Sequence, residues 1–349
     1  MTQATIPFAW YADDDVFRLE QERIFEHAWH YAGHAGEVAE PGAYFTTRVG
    51  RIPVVVVRGR DGELRSFVNV CRHRGFEVAQ GSGRRETLQC AYHAWTYDLD
   101  GSLRAAPRSD LEPGFDKEEL GLKPAQVGTW GPFVFVNPDG DGGPLEDTLR
   151  ELPELVERAG LDVDALAFNR RVESELDANW KDVAENFLEC YHCQVAHPGF
   201  SAMVDVSPDA YELDATETFF THRAPVKENG VAAYDLGAHE IPRGQFHLVW
   251  PGIALNVMPG RPNISIGPIR PLSPGRTQRF LDYFFAPGED EAWIDDYLAF
   301  DDQVGVEDKA LVESVQRGVS SGALEGGQLL VSSEKLIADF GRRVAAALA

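Results

Sequence analysis

Cys71-Arg72-His73-Arg74-Gly75-Phe76 and, with sixteen residues between His73 and Cys90, Cys90-Ala91-Tyr92-His93-Ala94-Trp95 spell the pattern C-x-H-x16-C-x2-H. Each short segment offers one sulfur and one nitrogen, so two facing loops can put both thiolates on one iron and both imidazoles on another. That donor set, Cys71, His73, Cys90 and His93, is the one of a Rieske-type [2Fe-2S] centre, in which two histidines replace two cysteines and raise the reduction potential. A structural zinc site is the competing use of the same four residues. Zinc fingers usually keep the cysteines together and the histidines together, whereas each pair here is mixed, so the cluster is the expectation.

Around the motif the hydrophobic period is short. Val54 to Val57, Ser66 to Val70, Trp95 to Tyr97 and Phe133 to Val136 read as strands, punctuated by turns such as Asp61-Gly62 and Asp100-Gly101. They predict a small all-β domain with the cluster on two loop tips, closed by a linker at Asn137 to Pro144. Upstream, Asp13 to Trp29 reads as a helix, with Val16, Ile24, Phe25 and Trp29 apolar and Asp13 or Asp14 as its cap. Downstream, helices mix with strands, including Phe246 to Trp250 and Gln278 to Phe285. No internal repeat or low-complexity run interrupts them.

The chain has 349 residues, enough for two domains. Its 44% hydrophobic and 25% charged residues are those of a soluble globular protein. A net charge of −24 argues against nucleic acid and anionic membrane surfaces as partners. The longest strand-like apolar stretch, Ile52 to Val57, falls far short of the ~20 residues of a membrane helix. No basic segment followed by an apolar one marks a signal peptide. All four cysteines fall in motifs, so no disulfide framework is expected and the cytoplasm is the default location.

A second constellation lies in Glu185-Asn186-Phe187-Leu188-Glu189-Cys190-Tyr191-His192-Cys193, with His197 and Pro198 following. On a helix from Asn179 to Cys193, Trp180, Ala184, Phe187, Leu188 and Tyr191 would share one side. Glu185, Glu189 and His192 would share an arc of about 60° on the other. A solvated acidic face is the plain explanation. Against it stand Asn186 and Cys190, which flank the carboxylates, and His197, five residues after His192. A regular helix cannot aim both imidazoles at one metal, so a break is expected near Cys193, where Pro198 favours one. Two histidines and one carboxylate form a facial triad that leaves positions on Fe(II) open for dioxygen and substrate.

The carboxylate must come from elsewhere. If Glu291 to Gln316 is helical, Trp293, Tyr297, Phe300, Val304, Leu311 and Val315 form an apolar stripe that contains Asp308. A carboxylate on a core-facing stripe needs a cation or a proton, since burying it bare costs several kcal/mol. Asp308 is therefore the third expected iron ligand, with Glu307 as the alternative if the register slips. Cys190 and Cys193 fit a redox dithiol or half a zinc site. With His192 between them and no second pair free, they are read as small buried side chains packing beside the iron.

With both motifs in place, the chain resembles the catalytic α subunit of the Rieske non-haem iron oxygenases over nearly its whole length. The resemblance implies an α+β fold: an N-terminal helical segment (1–40) packing with the catalytic domain, a Rieske domain (41–140), and a catalytic domain (141–349) with a curved antiparallel sheet and helices of helix-grip type. It also implies that Glu189, three residues before the first iron histidine, links His192 to His93 of a neighbouring subunit in a homotrimer. Glu189 and Asn186 are the candidate catalytic residues beside the metals. Two positions depart from the common pattern. The bridging acid is more often aspartate, and the glycine usual after the second cluster histidine is Ala94. Glu189 with Cys190-Tyr191-His192-Cys193, and Glu307-Asp308 with Glu313 to Gly318, resemble the branch that oxidises quaternary ammonium compounds, which includes glycine betaine, carnitine and stachydrine oxygenases.

The expected activity is an oxygenase that takes NAD(P)H-derived electrons from a flavin/iron–sulfur reductase or ferredoxin and hydroxylates or N-demethylates a small quaternary ammonium compound. A quaternary nitrogen has no N–H to donate, so ring faces are expected to bind it. Phe219, Phe220, Phe246 and Trp250 are candidate pocket residues. Hydroxylation or O-demethylation of an aromatic acid is the alternative within the class, separated by phenol or diol formation. A Rieske electron carrier without catalysis is the alternative outside it, and leaves His192, His197 and Asp308 unexplained.

Overall fold

The computed structural model describes residues 2–237 and 240–349. The chain divides into two compact units, Phe25–Leu145 and Met1–Ile24 with Glu146–Ala349.

In the first unit, strands β1 (His30–His34), β2 (Ala43–Val49), β3 (Ile52–Arg58), β4 (Leu64–Val68), β5 (Ser82–Arg84), β6 (Leu88–Gln89), β7 (Thr96–Tyr97), β8 (Leu103–Ala105), β9 (Pro124–Trp130) and β10 (Phe133–Asn137) form two antiparallel sheets. Their orders are β1-β10-β9-β4-β3-β2-β5 and β6-β7-β8. The run Val54-Val55-Val56-Val57 lies on β3, and all four residues are buried. Val54 and Val56 pack with Val134 and Val136, while Val55 and Val57 pack with Cys71, Leu88, Cys90 and Tyr97. A strand covered on both faces reads as an unbroken apolar run. Each buried valine contributes about 1.5–3 kcal/mol. The second of these cores anchors both Cys–His loops.

The compact β unit runs from Phe25 to Leu145, against the expected 41–140. Residues 25–40 belong with the β unit because β1 pairs with β10 along Phe133 to Val136. The helix read as Asp13 to Trp29 is also shorter: α1 (Asp14–Arg23) is capped by the Asp13 carboxylate, which accepts from the N–H groups of Asp15 and Val16. Past Ile24 the chain forms a single 3-10 turn, Phe25–His27.

The second unit is built on the antiparallel strands β11 (Ala167–Leu176), β12 (Glu212–Ala215), β13 (Phe219–Pro225), β14 (Arg243–Val249), β15 (Ile253–Val257), β16 (Asn263–Ser273) and β17 (Arg276–Phe285). They form one curved sheet in the order β11-β17-β16-β15-β14-β13-β12. Helices α2 (Trp180–Phe187), α3 (Glu291–Val319) and α4 (Lys335–Leu348) belong to the same unit. Asn179 caps α2 by accepting from Lys181 N–H, and its own N–H donates to Gln316 Oε1 at 2.5 Å, tying the start of α2 to α3. No helix among the described residues is long and apolar enough to cross a membrane.

Beneath α2 lies a buried polar network. Glu20 accepts from Lys181 Nζ at 2.5 Å and Trp180 Nε1 at 2.8 Å, and Tyr11 donates to Glu185 at 2.7 Å. Burial, then the neighbouring Glu185, pushes the Asp182 carboxyl up to about 8 from an ordinary 3.8. A carboxyl that holds its proton more tightly when folded contributes stability that is complete below its unfolded pKa and is lost as pH rises through its folded pKa. The window here runs from about pH 4 to about pH 8. Asp182→Asn is expected to melt a few degrees above the native protein at pH 8.5 and to show a much smaller difference at pH 5, as read by calorimetry.

Candidate metal centres

Both Cys–His loops use the same local bonds. Cys71 N–H donates to Phe76 O at 2.8 Å and Gly75 N–H to Cys71 O at 3.0 Å; Cys90 N–H donates to Trp95 O at 2.8 Å and Ala94 N–H to Cys90 O at 3.0 Å. The fourth positions after the cysteines, Gly75 and Ala94, are both left-handed, with φ of +73° and +58°. Glycine adopts that conformation freely, whereas alanine is strained there. Ala94→Gly is expected to raise stability by about 1 kcal/mol, with the cluster's visible spectrum unchanged.

Cys71 and Cys90 are free and buried. The His73 and His93 rings meet edge-on with centroids 4.5 Å apart, and His73 stacks on Trp95 at 5.0 Å. The cysteines thus sit in the core while the histidines lie toward the surface of their unit. Each loop supplies one thiolate and one imidazole, the donor set of a two-iron cluster with two histidine ligands. The Tyr97 hydroxyl accepts from Arg72 N–H at 3.0 Å and lies 3.3 Å from Cys71 Sγ, where it can donate to a cluster sulfur ligand and raise the potential. Asn69 braces the first loop by exchanging hydrogen bonds with Ala79 at 2.8 and 2.9 Å. Tyr97 and Asn69 lie outside the motif, which is why sequence reasoning passed over them.

In the second unit α2 ends at Phe187, six residues before the expected end at Cys193. The Glu189 carboxylate explains the early stop: it accepts from the N–H groups of Tyr191 and His192, offering the backbone an alternative to the helix. The face assignment changes with it. Glu185 turns inward, half-buried, against Tyr11, and Tyr191 becomes exposed. Two short helices follow, Cys193–Ala196 and Pro198–Met203, with His197 at the joint and Pro198 opening the second. The break expected near Cys193 comes earlier, at Phe187, and the joint at His197 adds a second one.

The two imidazoles do converge. His192 Nε2 lies 3.1 Å from His197 Nε2, and Asp308 Oδ1 lies 3.0 Å from His197 Nε2 and 3.6 Å from His192 Nε2. Donor atoms about 2.1 Å from one ion and at right angles are separated by about 3 Å, so these residues fit a facial iron triad. The other ring nitrogens are also held. His192 Nδ1 contacts Glu189, and His197 Nδ1 lies 2.8 Å from Glu307 Oε2. Such outer carboxylates fix the ring so that Nε2 faces the metal. Glu307, the alternative third ligand, stands behind His197 instead. Burial disfavours the charged form of His192, but Asp308 and Glu189 outweigh it and push its pKa up to about 9. Asp308 is held well below the usual carboxylate range, against its own burial, by hydrogen bonds to both imidazoles. The centre is arranged for a cation.

Cys190 and Cys193 are buried as expected, but as a disulfide rather than as separate side chains. The turn that brings Cys193 N–H to Cys190 O at 3.2 Å places their Cα atoms 4.9 Å apart, within bridging range.

The triad lies in the wall of a cavity of about 240 Å³, together with Asn186 and Glu189. Of the four expected pocket aromatics only Phe246 lines it. Phe219 lies on the opposite face of the sheet with His247, while Phe220 and Trp250 pack on Phe340 of α4. The missed aromatic walls are Phe187, Phe200, Tyr211, Phe280, Tyr283 and Phe300.

Residues 28–115 match the Rieske [2Fe-2S] domain, and residues 163–349 match the ring hydroxylating alpha subunit (catalytic domain). The carnitine monooxygenase oxygenase subunit of Acinetobacter pittii (strain PHEA-2) is 35% identical over 336 residues, covering 95% of this chain and 90% of the relative. The chloroplastic choline monooxygenase of Amaranthus tricolor is 33% identical, covering 96% and 76%. A solved quaternary ammonium Rieske monooxygenase, studied for carnitine oxidation and inter-subunit electron transfer, matches with a TM-score of 0.89 at 32% identity, over 100% of this chain and 96% of that one. With likeness of this degree running through both units, the chain belongs to the ring-hydroxylating α-subunit family and is a Rieske non-haem iron oxygenase with a [2Fe-2S] cluster and a mononuclear iron.

Proposed function

We propose that this oxygenase acts on a small quaternary ammonium or N-methylated compound, N-demethylating or hydroxylating it with NAD(P)H-derived electrons from a separate reductase. The cavity carries the reading. Its volume, about 240 Å³, is below that of sites for drug-sized ligands, and ring faces from Phe187, Phe200, Phe246, Phe300, Tyr211 and Tyr283 contribute to its wall. A permanent cation without an N–H is bound through such faces, at up to ~2 kcal/mol per contact once desolvated. The likeness to carnitine and choline monooxygenases supports the same class.

In this reading Cys71, His73, Cys90 and His93 hold the cluster, and His192, His197 and Asp308 hold the iron. When bound, the cluster supplies single electrons and the iron activates dioxygen. Glu307 and Glu189 keep the imidazoles in register. Asn186, in the cavity wall, offers an amide that can donate to or accept from the substrate. Glu189 also carries electrons from His93 of a neighbouring subunit in a homotrimer. The surface position of the cluster histidines supports this, and so does the inter-subunit transfer studied in a solved relative. The cytoplasm is the proposed location.

Oxidation of one N-methyl group consumes one dioxygen, two electrons and two protons, and yields water and a hydroxymethyl ammonium. The latter collapses to formaldehyde, a proton and the demethylated amine. Holoenzyme with a compatible reductase and NAD(P)H is expected to release formaldehyde or a free tertiary amine in step with consumption of carnitine, γ-butyrobetaine or choline. Phenol or diol formation from aromatic acids, with no amine consumed, would overturn the substrate class.

A further inference from the structure

Rings and triad account for the onium end of a substrate but leave one cation in the cavity wall without a task. Arg279 sits on β17 opposite Ser174 of β11, on the face it shares with Leu281 and Tyr283, and all four residues line the cavity. Its side chain is half-buried, and among the described residues it has no hydrogen-bond or ion-pair partner. Other partly buried arginines of this unit are paired: Arg171 with Asp282 at 2.6 and 2.7 Å, and Arg261 with Glu289 at 2.6 Å. Lys309, the other cation of the cavity, is tied to Glu175 O at 2.8 Å. Asp301, the acid nearest in effect, receives the Tyr283 hydroxyl and feels Arg279 only at longer range.

Position adds a second argument. Asp301 and Asp308 lie on one face of α3, two turns or about 10 Å apart along its axis. The Arg279 charge is felt at Asp301 and Tyr283, which line the same cavity. A half-buried guanidinium with its donors unmet calls for an acceptor, and its planar fork matches a carboxylate.

We propose that Arg279 is a specificity-determining residue that binds a substrate carboxylate, so that the favoured substrate is a zwitterion with a carboxylate a few carbons from its quaternary nitrogen. The inference rests on the quaternary ammonium reading for the other end of the molecule. Choline, a cation without a carboxylate, would leave Arg279 unmet.

The test measures both equilibrium binding by calorimetry and turnover for holoenzyme, Arg279→Gln and Arg279→Lys, using γ-butyrobetaine, carnitine and choline. Iron and sulfide content serves as the folding control. The native protein is expected to bind the two carboxylated amines roughly 10- to 100-fold more tightly than choline. Arg279→Gln is expected to remove that preference while leaving choline binding unchanged. Arg279→Lys, which keeps the charge but loses the fork, should fall between. A native preference for choline, or a ratio unchanged in Arg279→Gln, overturns the inference while leaving the oxidation reading intact. Arg279-dependent binding of carboxylated amines that are never oxidised overturns the oxidation reading and keeps this one. No binding of any of the three overturns both.

Discussion

Asp308→Ala is expected to abolish substrate oxidation while leaving the cluster in place. Asp308 supplies the only carboxylate oxygen of the convergent group, at 3.0 and 3.6 Å from the two imidazole nitrogens. Its removal leaves two neutral donors to hold a dication, so iron should fall from about three atoms per chain to about two, with about two acid-labile sulfides retained. Turnover should drop by about three orders of magnitude or more, because nothing else in the cavity can activate dioxygen. The visible and paramagnetic signatures of the reduced cluster should persist. Retention of the third iron in this variant would mean that the triad is wrongly drawn.

Glu189→Gln is expected to separate electron delivery from metal binding. The amide keeps the size of the side chain and one acceptor oxygen for the backbone N–H groups of Tyr191 and His192, but loses the charge that faces His192 Nδ1. Removing such an outer partner typically costs 10- to 100-fold, so steady-state turnover should fall by about 100-fold. If Glu189 acts only by orienting His192, the loss should track the loss of iron. If it also carries electrons from a neighbouring subunit, iron stays bound, the cluster is still reduced by the reductase, and its reoxidation on mixing with substrate and oxygen slows by a similar factor. Stopped-flow absorbance of the cluster reads that step directly. Normal reoxidation in an iron-replete variant would overturn the bridging role.

Much of this site was legible because its chemistry is local or patterned. Each Cys–His pair lies within four residues, and the valine run on β3 marks a strand buried on both faces. A cost argument, a carboxylate on a core-facing stripe, singles out Asp308, and the structure brings its Oδ1 to 3.0 Å from His197 Nε2 and 3.6 Å from His192 Nε2. The stripe itself drifts: Val315 is exposed, and Val312, Gln316 and Val319 are buried in the last turns of α3. The electron-carrier and zinc readings fall with the matches to the catalytic domain and to the Rieske [2Fe-2S] domain.

What sequence could not give depends on contacts far apart in the chain or on parity along a strand. Tyr11 meets Glu185 across 174 residues, which turns an apparently solvated acid inward, half-buried. The end of α2 is set by a side chain turning back on its own backbone, with no glycine or proline to announce it. Phe246 reaches the cavity while Phe219 does not because the two lie on opposite faces of the sheet, and Phe220, on the cavity's face, is taken up by Phe340. Arg279 carries no motif at all. Its strand register and its lack of a partner among the described residues single it out.

The most direct test of the central claim is a single turnover of anaerobically reduced holoenzyme, mixed with oxygen-18 gas and a pooled panel of quaternary amines and aromatic acids, with products read by mass spectrometry. The expected result is one quaternary amine that loses a methyl group or gains a single labelled oxygen, with the carboxylated amines oxidised ahead of choline. Label confined to a phenol or diol would contradict it, as would a fully loaded and reduced protein that oxidises none of the amines.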